Sequence, residues 1–109
     1  LVVLFQPHRY TRTRDLLEDF AKAFVQSDVL FLTEIYAAGE QPIPGVSGAK
    51  LAEIVRAAGH PSVTFVEQKD QLVEQVLPHL RSGDLVITLG AGDIWKTGPG
   101  LLARLTPPA

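Results

Sequence analysis

The chain has 109 residues, of which 46% are hydrophobic and 20% charged, and its formal net charge is −2. This length suits one domain with a substantial core and is too short for two. The nearly neutral charge creates no general attraction for nucleic acid or for an anionic membrane, so any anion site has to be local.

The residue types also restrict the chemistry and the compartment. The sequence contains no cysteine, which excludes disulfides, thiolate metal sites and a cysteine nucleophile and is compatible with a reducing cytoplasm. No apolar run approaches the roughly 20 residues of a membrane span. We therefore expect a cytoplasmic protein that binds neither nucleic acid nor membrane. Because the sequence lacks methionine and starts with Leu1 inside strand-like sequence, we also expect a piece of a longer protein, cut at its amino end.

The first half of the chain alternates between strand and helix patterns. Residues 1–5, "LVVLF", form a continuous apolar run rich in β-branched side chains, which is typical of a strand buried on both faces. Apolar residues at helical spacing predict a helix over about 13–26, and "DVLFLT" at 28–33 predicts a second buried strand. The Gly and Pro residues of 34–46 predict a long loop.

The second half continues the alternation. Ser47 is a suitable N-cap for a second helix, and "SVTFVE" at 62–67 predicts a third strand. Apolar residues spaced over 72–80 mark a third helix, whose last turn contains a proline. "DLVITLG" at 84–90 predicts a fourth strand, again nearly all apolar. The Gly-Pro-Gly sequence at 98–100 is expected to break the last helical segment into a short turn and a final piece.

This alternation predicts an α/β fold. Strands that are apolar throughout, each followed by a helix, indicate a three-layer, Rossmann-like architecture, with a mostly parallel sheet covered by helices on both faces. Ligands of such sheets bind at the carboxyl ends of the strands. Three loops with unusual residues leave those ends, at 6–13, 34–45 and 90–98, and we expect them to lie along the same edge of the sheet.

The loop after the first strand is the strongest candidate for a binding site. It places His8, Arg9 and Arg12 directly after a buried strand, where a helix N-terminus is expected to add its free N–H groups. Arginine presents planar donors that match a carboxylate or a phosphate, and histidine can donate to the same anion. The competing interpretation is that Arg9, Arg12 and Arg14 are solvated and pair with Glu18 or Asp19. The position of the cluster favours an anion site.

Other residues with chemical potential are interpreted as structural. The sequence "GAGD" at 90–93 does not match a dinucleotide-binding fingerprint, and we interpret it as a tight turn with Asp93 as a helix cap. His60 and His79 stand beside turns with no residue spaced to complete a metal site, so we expect both at the surface. Trp95 is expected to pack as a lid on the edge that carries the loops.

The second loop offers further candidate residues for the site, and the sequence lacks a P-loop motif. Tyr36 and Glu40 of the second loop either shape the wall of a pocket or simply belong to an ordered loop, and the sequence leaves both open. No G-x-x-x-x-G-K-[ST] motif is present, so these 109 residues do not bind a nucleoside triphosphate in the P-loop manner.

Three stretches taken together carry a family resemblance. In the order and spacing found here, "FQPHRYTRTRDLLEDFAKAF", "DVLFLTEIYAAGEQPIPGVSG" and "GDLVITLGAGDIWK" resemble the C-terminal domain of the Mur ligase family. Within that family they are similar to the ligases that join L-alanine to UDP-N-acetylmuramate in peptidoglycan synthesis. The stretch "FQPHRYTRT" is the specific part, because other ligases of the superfamily have different residues at this turn. The resemblance covers about residues 2–105.

The resemblance implies an ATP-dependent and magnesium-requiring amide ligation. In the family, ATP converts the carboxylate of UDP-N-acetylmuramate to an acyl phosphate, which the amine of L-alanine then attacks. By resemblance, His8, Arg9 and Arg12 match the residues that hold the amino acid, with the two arginines at its carboxylate. No catalytic residue and no metal ligand are carried over, because ATP and Mg²⁺ are bound mainly by other parts of the family's enzymes.

The resemblance also implies partners and a boundary. Residues 1–109 are expected to be a C-terminal domain shortened at its amino end, with the central and N-terminal domains of the same chain as partners. By itself this chain is expected to be inactive. The alternatives are a murein-peptide ligase of the same superfamily, in which we expect residues 7–12 to differ, and a stand-alone anion-binding or interaction module.

Overall fold

A computed structural model describes residues 1–24, 27–90 and 94–105 of the chain. Strands and helices alternate within these ranges, in the order β1 (Val2–Gln6), α1 (Tyr10–Asp15), α2 (Leu17–Ala23), β2 (Val29–Thr33), α3 (Gly48–Ala57), β3 (Val63–Val66), α4 (Leu72–Val76), β4 (Val86–Gly90) and α5 (Thr97–Leu105). Short 3₁₀ turns precede α4, follow α4 and precede α5, at Lys69–Gln71, Leu77–His79 and Ile94–Lys96.

The four described strands form one parallel sheet in the order β3-β2-β1-β4. β1 and β2 are central, and their residues are almost completely buried because helices cover both faces. Since all four strands run the same way, their carboxyl ends lie at one edge of the sheet. The predicted α/β fold with a parallel sheet is confirmed.

The core is divided into two layers by the sheet. Alternate residues of β1 point to opposite faces, because successive side chains of a strand do so. One layer packs between the sheet and helices α2 and α3, and it contains Val3, Phe5, Phe24, Leu30, Leu32, Leu51, Ala52, Val55 and Val63. The other packs between the sheet and helices α4 and α5, and it contains Val2, Leu4, Phe31, Val66, Leu72, Val76, Ile94 and Leu101. The predicted three-layer arrangement follows directly from these two sets.

The helix boundaries differ from the predictions in two places. The single helix expected over 13–26 is two helices that meet at Leu16, and the first of them already begins at Tyr10. The expected break at Gly-Pro-Gly is wrong, because α5 runs without interruption from Thr97 to Leu105. Pro99 lies in the first turn of α5, where a backbone N–H has no helical partner and its loss costs little.

The fourth strand is less buried than its apolar sequence predicted. β4 pairs with β1 along one side only, and in the described part of the chain no strand pairs with its other side. Its residues are therefore half-buried or exposed, and Leu89 is 42% exposed. No helix in the described ranges is long and apolar enough to cross a membrane.

Candidate functional site

The loops that follow β1 and β2 are joined at the carboxyl edge of the sheet. The backbone N–H of Tyr36 donates to the carbonyl oxygen of Pro7 at 2.8 Å, and the N–H of Arg9 donates to the carbonyl oxygen of Tyr36 at 2.7 Å. This bridge extends the parallel pairing of β1 and β2 beyond the ends of the strands. The His8 ring stacks on the Tyr36 ring, with 5.8 Å between their centroids and 23° between their planes. The prediction that these two loops lie together is confirmed.

Arg9 has a backbone conformation that L-residues rarely adopt. Its φ is 66° and its ψ is 143°. A residue held in such a region costs on the order of 1–3 kcal/mol and persists only where its surroundings fix it. Here the N–H of Arg9 is bound by Tyr36, and its carbonyl oxygen accepts from the Thr13 N–H at 3.2 Å and from the Thr13 hydroxyl at 2.8 Å. The strained backbone of Arg9 is thus fixed on both sides.

The carboxylate of Glu40 occupies the N-terminus of α1. One of its oxygens accepts from the Tyr10 N–H at 2.6 Å and from the Thr11 N–H at 3.3 Å, and the other accepts from the Thr11 hydroxyl at 2.6 Å. The hydrogen bond from the Thr11 hydroxyl is the largest cause that holds the pKa of Glu40 below its usual value, and the nearby charge of Arg9 lowers this pKa further. The expectation that free N–H groups of this helix attract a ligand is wrong for Tyr10 and Thr11, because Glu40 already binds them.

The predicted cationic residues line one cavity. A space of about 610 Å³ is bordered by His8, Arg9, Thr11, Arg12, Asp15 and Leu16. In the ranges that the structure describes, neither Arg9 nor Arg12 forms an ion pair. The competing interpretation, pairing with Glu18 or Asp19, does not occur there. Arg14 pairs instead with its neighbour Asp15, at 3.1 Å between Nε and Oδ1.

A second cavity adjoins the first and is more apolar. It measures about 490 Å³ and shares His8, Arg12 and Leu16 with the first cavity, and its other lining residues are Phe5, Gln6, Phe20 and Gly90. The site therefore has a cationic side and an apolar side within reach of one small ligand. Two exposed guanidinium groups without a direct counter-ion suit a carboxylate, which arginine binds through paired N–H donors.

Gly90, the last residue of β4, packs closely against Gln6 at the carboxyl edge of the sheet. Its φ is 130°, and a Cβ at this position would lie 2.2 Å from the carbonyl oxygen of Gln6. Only glycine fits this contact. Ala91–Asp93 lie outside the described residues, so the interpretation of "GAGD" as a turn capped by Asp93 stays a prediction.

Glu34 performs a similar role for α3. Its Oε1 accepts from the Gly48 N–H at 2.7 Å and from the Ile35 N–H at 3.0 Å. The hydroxyl of Ser47 accepts from the Lys50 N–H at 3.0 Å, which confirms the predicted N-cap. Sequence reasoning missed Glu34 and Glu40 as caps, because each lies far along the chain from the helix start that it binds and no local spacing signals such a contact.

His60 is buried, and its predicted surface position is wrong. It is 9% exposed, its Nδ1 accepts from the Ser62 N–H at 3.1 Å, and its Nε2 lies 2.8 Å from the hydroxyl oxygen of Ser27. Because Nδ1 accepts, a neutral ring carries its proton on Nε2 and donates it to Ser27. The Ser27 hydroxyl in turn donates to the carbonyl oxygen of Phe24 at 2.7 Å. This serine–histidine pair is a satisfied structural network and has no base free to activate the hydroxyl.

The remaining sequence predictions concern His79, Trp95 and metal ligands. His79 is exposed, as predicted, with its ring edge against Phe31 at 5.3 Å between centroids. Trp95 is 59% exposed and lines a different groove, together with Leu80 and Leu101. It does not line the two cavities beside His8.

The described residues contain no group of three or more His, Asp or Glu side chains that could hold a metal ion.

Comparison with known families agrees with the fold. The model of the Mur ligase glutamate ligase domain matches residues 1–92. The chain belongs to this family.

Individual relatives are close in sequence but much longer. A UDP-N-acetylmuramate–L-alanine ligase from Myxococcus xanthus is 59% identical over 109 residues, which is 98% of this chain and 23% of the relative. Proteins of the same name are 59% identical in Anaeromyxobacter dehalogenans, over 96% of this chain and 23% of theirs, and 52% identical in Syntrophobacter fumaroxidans, over 95% and 22%. The chain thus spans less than a quarter of the length of these curated relatives.

Proposed function

We propose that this Mur ligase domain binds the amino acid in an ATP-dependent ligase that joins L-alanine to UDP-N-acetylmuramate. The observation that carries the proposal is the cavity of about 610 Å³ lined by His8, Arg9 and Arg12, whose two arginines have no ion pair in the described ranges. The names of relatives that are 59% identical support the same substrates.

In the proposed function, the domain contributes to the reaction by orienting the amino acid. The guanidinium groups of Arg9 and Arg12 hold the carboxylate of L-alanine, and His8 borders the same anion. A carboxylate fixed at two points leaves the amine of the amino acid directed away from the arginines, toward the carbonyl carbon that it attacks. Holding two reactants in the correct geometry is a large source of rate enhancement.

The charges around the cavity suit a zwitterion better than a dianion. Asp15 lines the cavity together with Arg9 and Arg12, so both signs of charge border the same space. The apolar residues of the adjoining cavity, Phe5, Leu16 and Phe20, offer a surface for a small aliphatic side chain. A small amino acid satisfies all three kinds of contact.

ATP and Mg²⁺ are not assigned to residues of this chain. The sequence has no P-loop motif, and the described residues have no cluster of side chains that could hold a metal ion. These residues therefore do not fit either group. Under the proposal, the central and N-terminal domains of a longer cytoplasmic chain bind both groups and the sugar nucleotide, and residues 1–109 alone catalyse no reaction.

The test is Arg12→Ala in a full-length ligase that carries this domain. We expect the KM for L-alanine to rise by about tenfold or more, since a charge-assisted hydrogen bond contributes about 1.5–3 kcal/mol. The KM values for ATP and UDP-N-acetylmuramate should change by less than about twofold in steady-state kinetics, as expected for the loss of a contact specific to one substrate.

Arg104→Ala serves as the matched control. Arg104 is an exposed arginine on α5 that pairs with Glu74, and we expect its replacement to leave all three KM values unchanged. Equal increases for all substrates in Arg12→Ala would contradict a role at the amino-acid carboxylate. A preference for a peptide substrate over L-alanine in the unmodified enzyme would indicate a murein-peptide ligase.

A further inference from the structure

We propose that Glu40 is a positioning residue for the amino-acid site: its carboxylate fixes the first turn of α1 and thereby directs the side chains of Arg9 and Arg12 into the cavity. This inference rests on the proposed function and extends it to a residue in a different loop. Glu40 itself does not contact the amino acid.

Glu40 forms hydrogen bonds with residues that are distant from it in the sequence. Glu40 lies 29 and 30 residues along the chain from the two residues that it binds, Thr11 and Tyr10. It accepts from two backbone N–H groups and one hydroxyl, which engages both of its oxygens. Because both oxygens of this carboxylate already accept hydrogen bonds from other residues of the chain, it has little capacity left to bind a ligand.

Glu40 binds the residue that directly follows the strained Arg9. Tyr10, whose N–H donates to Glu40, directly follows Arg9, whose φ of 66° is unfavourable. The Arg9 N–H is held by Tyr36 of the same loop that carries Glu40. The loop after β2 therefore binds the N–H of the strained residue itself and the N–H of the residue that follows it. Loss of the bond to Glu40 allows Arg9 to relax to a conformation that points its side chain elsewhere.

Glu40 also binds the helical turn that carries Arg12. Arg12 is the third residue of α1, and Tyr10 and Thr11 are the first two. The helix has only six residues, so its first turn is most of its length. An isolated helix this short is unstable in water, and its orientation depends on contacts at its ends. The bonds to Glu40 fix the N-terminal end of α1, from which Arg9 and Arg12 reach the cavity.

The charge of Glu40 contributes to the same effect. The carboxylate faces the N-terminus of α1, where a negative charge is favourable, and the charge of Arg9 is close enough to lower its pKa. The ionised form is therefore the one present at neutral pH. Replacement by glutamine removes the charge and keeps an oxygen acceptor for the backbone N–H groups, so the two contributions can be separated.

The experiment compares Glu40→Ala and Glu40→Gln in the full-length ligase, with Glu53→Ala as the matched control. Glu53 is an exposed glutamate on α3 that pairs with Lys50 at 3.6 Å, and we expect no kinetic effect from its loss. For Glu40→Ala we expect kcat/KM for L-alanine to fall by about tenfold or more, because several charge-assisted hydrogen bonds are lost. The KM values for ATP and the sugar nucleotide should stay within about twofold. Glu40→Gln should recover most of the lost kcat/KM.

A second measurement reports on the site without activity. Hydrogen–deuterium exchange of the peptide covering residues 6–16 should be faster in Glu40→Ala, because the amides of Tyr10 and Thr11 lose their acceptor, while exchange in β1 and α3 stays unchanged. Faster exchange at 6–16 with an unchanged kcat/KM for L-alanine would overturn the proposal. Equal losses for all three substrates would also overturn it, since a general structural role predicts them. No recovery by Glu40→Gln would overturn it too, because that variant keeps the acceptor for the N–H groups of α1.

Arg12→Ala separates this inference from the function on which it rests. If Arg12→Ala raises the KM for L-alanine and Glu40→Ala leaves it unchanged, the positioning role fails and the proposed function stands. If neither variant affects L-alanine, the proposed function itself fails.

Discussion

At Gly48 the first turn of α3 lies directly against the end of β2. A Cβ at this position would lie 2.4 Å from the carbonyl oxygen of Thr33 and 2.7 Å from Cε1 of Phe65. The first of these atoms belongs to the backbone of a central strand and cannot move aside without disturbing the sheet. A single methyl group is therefore not tolerated here, although Gly48 has an ordinary helical role and no positive φ.

Gly48→Ala should therefore destabilise the chain. We expect the free energy of unfolding, measured by urea denaturation, to fall by about 1–3 kcal/mol, the usual cost of overpacking a close-packed interior. Gly98→Ala is the control, because Gly98 lies in α5 and a Cβ there would meet no atom within 4 Å beyond its chain neighbours and its own helix backbone. That substitution should change the stability by less than about 1 kcal/mol, since the helix preference of alanine is opposed by the restriction that Pro99 places on the residue before it. Equal effects at both positions would contradict the steric argument.

Among the site residues, the sequence could predict those that are close to one another in the chain. His8, Arg9 and Arg12 are close in sequence and follow a strand whose apolar pattern is clear, so their common location at the sheet edge follows from the fold class. Glu40 could not be assigned in this way. Its partners are 29 and 30 residues away, and only the folded loop brings them together. The burial of His60 could not be predicted for a similar reason, because Ser27, its hydrogen-bond partner, is 33 residues away in the sequence.

At the scale of elements, the N-terminus of α3 is capped by two different side chains. Ser47 binds the Lys50 N–H at 3.0 Å and Glu34 binds the Gly48 N–H at 2.7 Å, so two of the N–H groups without helical partners are satisfied by side chains. One cap is local and the other comes from the end of β2. Together they attach the helix to the strand that precedes it.

Ser47→Ala removes the local cap. We expect a loss of about 1 kcal/mol in the free energy of unfolding, measured by urea denaturation of this chain, as is typical for an N-cap serine. The exposed Ser82, in the turn before β4, provides the comparison, and Ser82→Ala should change stability by less than about 0.5 kcal/mol. If Ser47→Ala has no larger effect than Ser82→Ala, Glu34 alone is sufficient to cap α3.

The elements themselves were largely predictable, and their ends were not. All four strands occur where apolar runs predicted them, because a strand buried on both faces leaves a continuous signature. The break at Leu16 leaves no such signature, since apart from Tyr10 the residues of α1 are polar and the apolar spacing belongs to α2. The effect of Pro99 could not be predicted, because proline breaks a helix interior but is tolerated in the first turn. The sequence does not show where α5 begins, so it does not show in which of these positions Pro99 lies.

At the scale of the whole molecule, the sheet has an open side. β4 has no strand on its outer side within the described residues, and two large apolar side chains near this edge are exposed, Leu85 at 62% and Leu89 at 42%. Exposed apolar sheet edges pair readily with other chains. The relatives are more than four times as long as this chain, and further segments of such a protein would be available to cover the edge.

For the 109-residue chain alone, we expect concentration-dependent self-association through this edge. Sedimentation velocity should show an average mass that rises with protein concentration. Leu89→Lys should suppress the rise, because a charged residue on an edge strand opposes pairing. Ala57→Lys, on the exposed surface of α3, is the control and should leave the association unchanged. Suppression by both variants would indicate a general charge effect rather than pairing at β4.

The bonds between Glu40 and the start of α1 have a consequence for engineering. Surface loops usually accept inserted residues and exchange between homologous proteins with little harm. The loop at 34–46 is an exception, because it holds Tyr10 and Thr11 through Glu40 and Arg9 through Tyr36. A chimaera that imports only one of the two loops would inherit the arginines without their support. Grafts intended to retune amino-acid selectivity should transplant both loops as a matched pair.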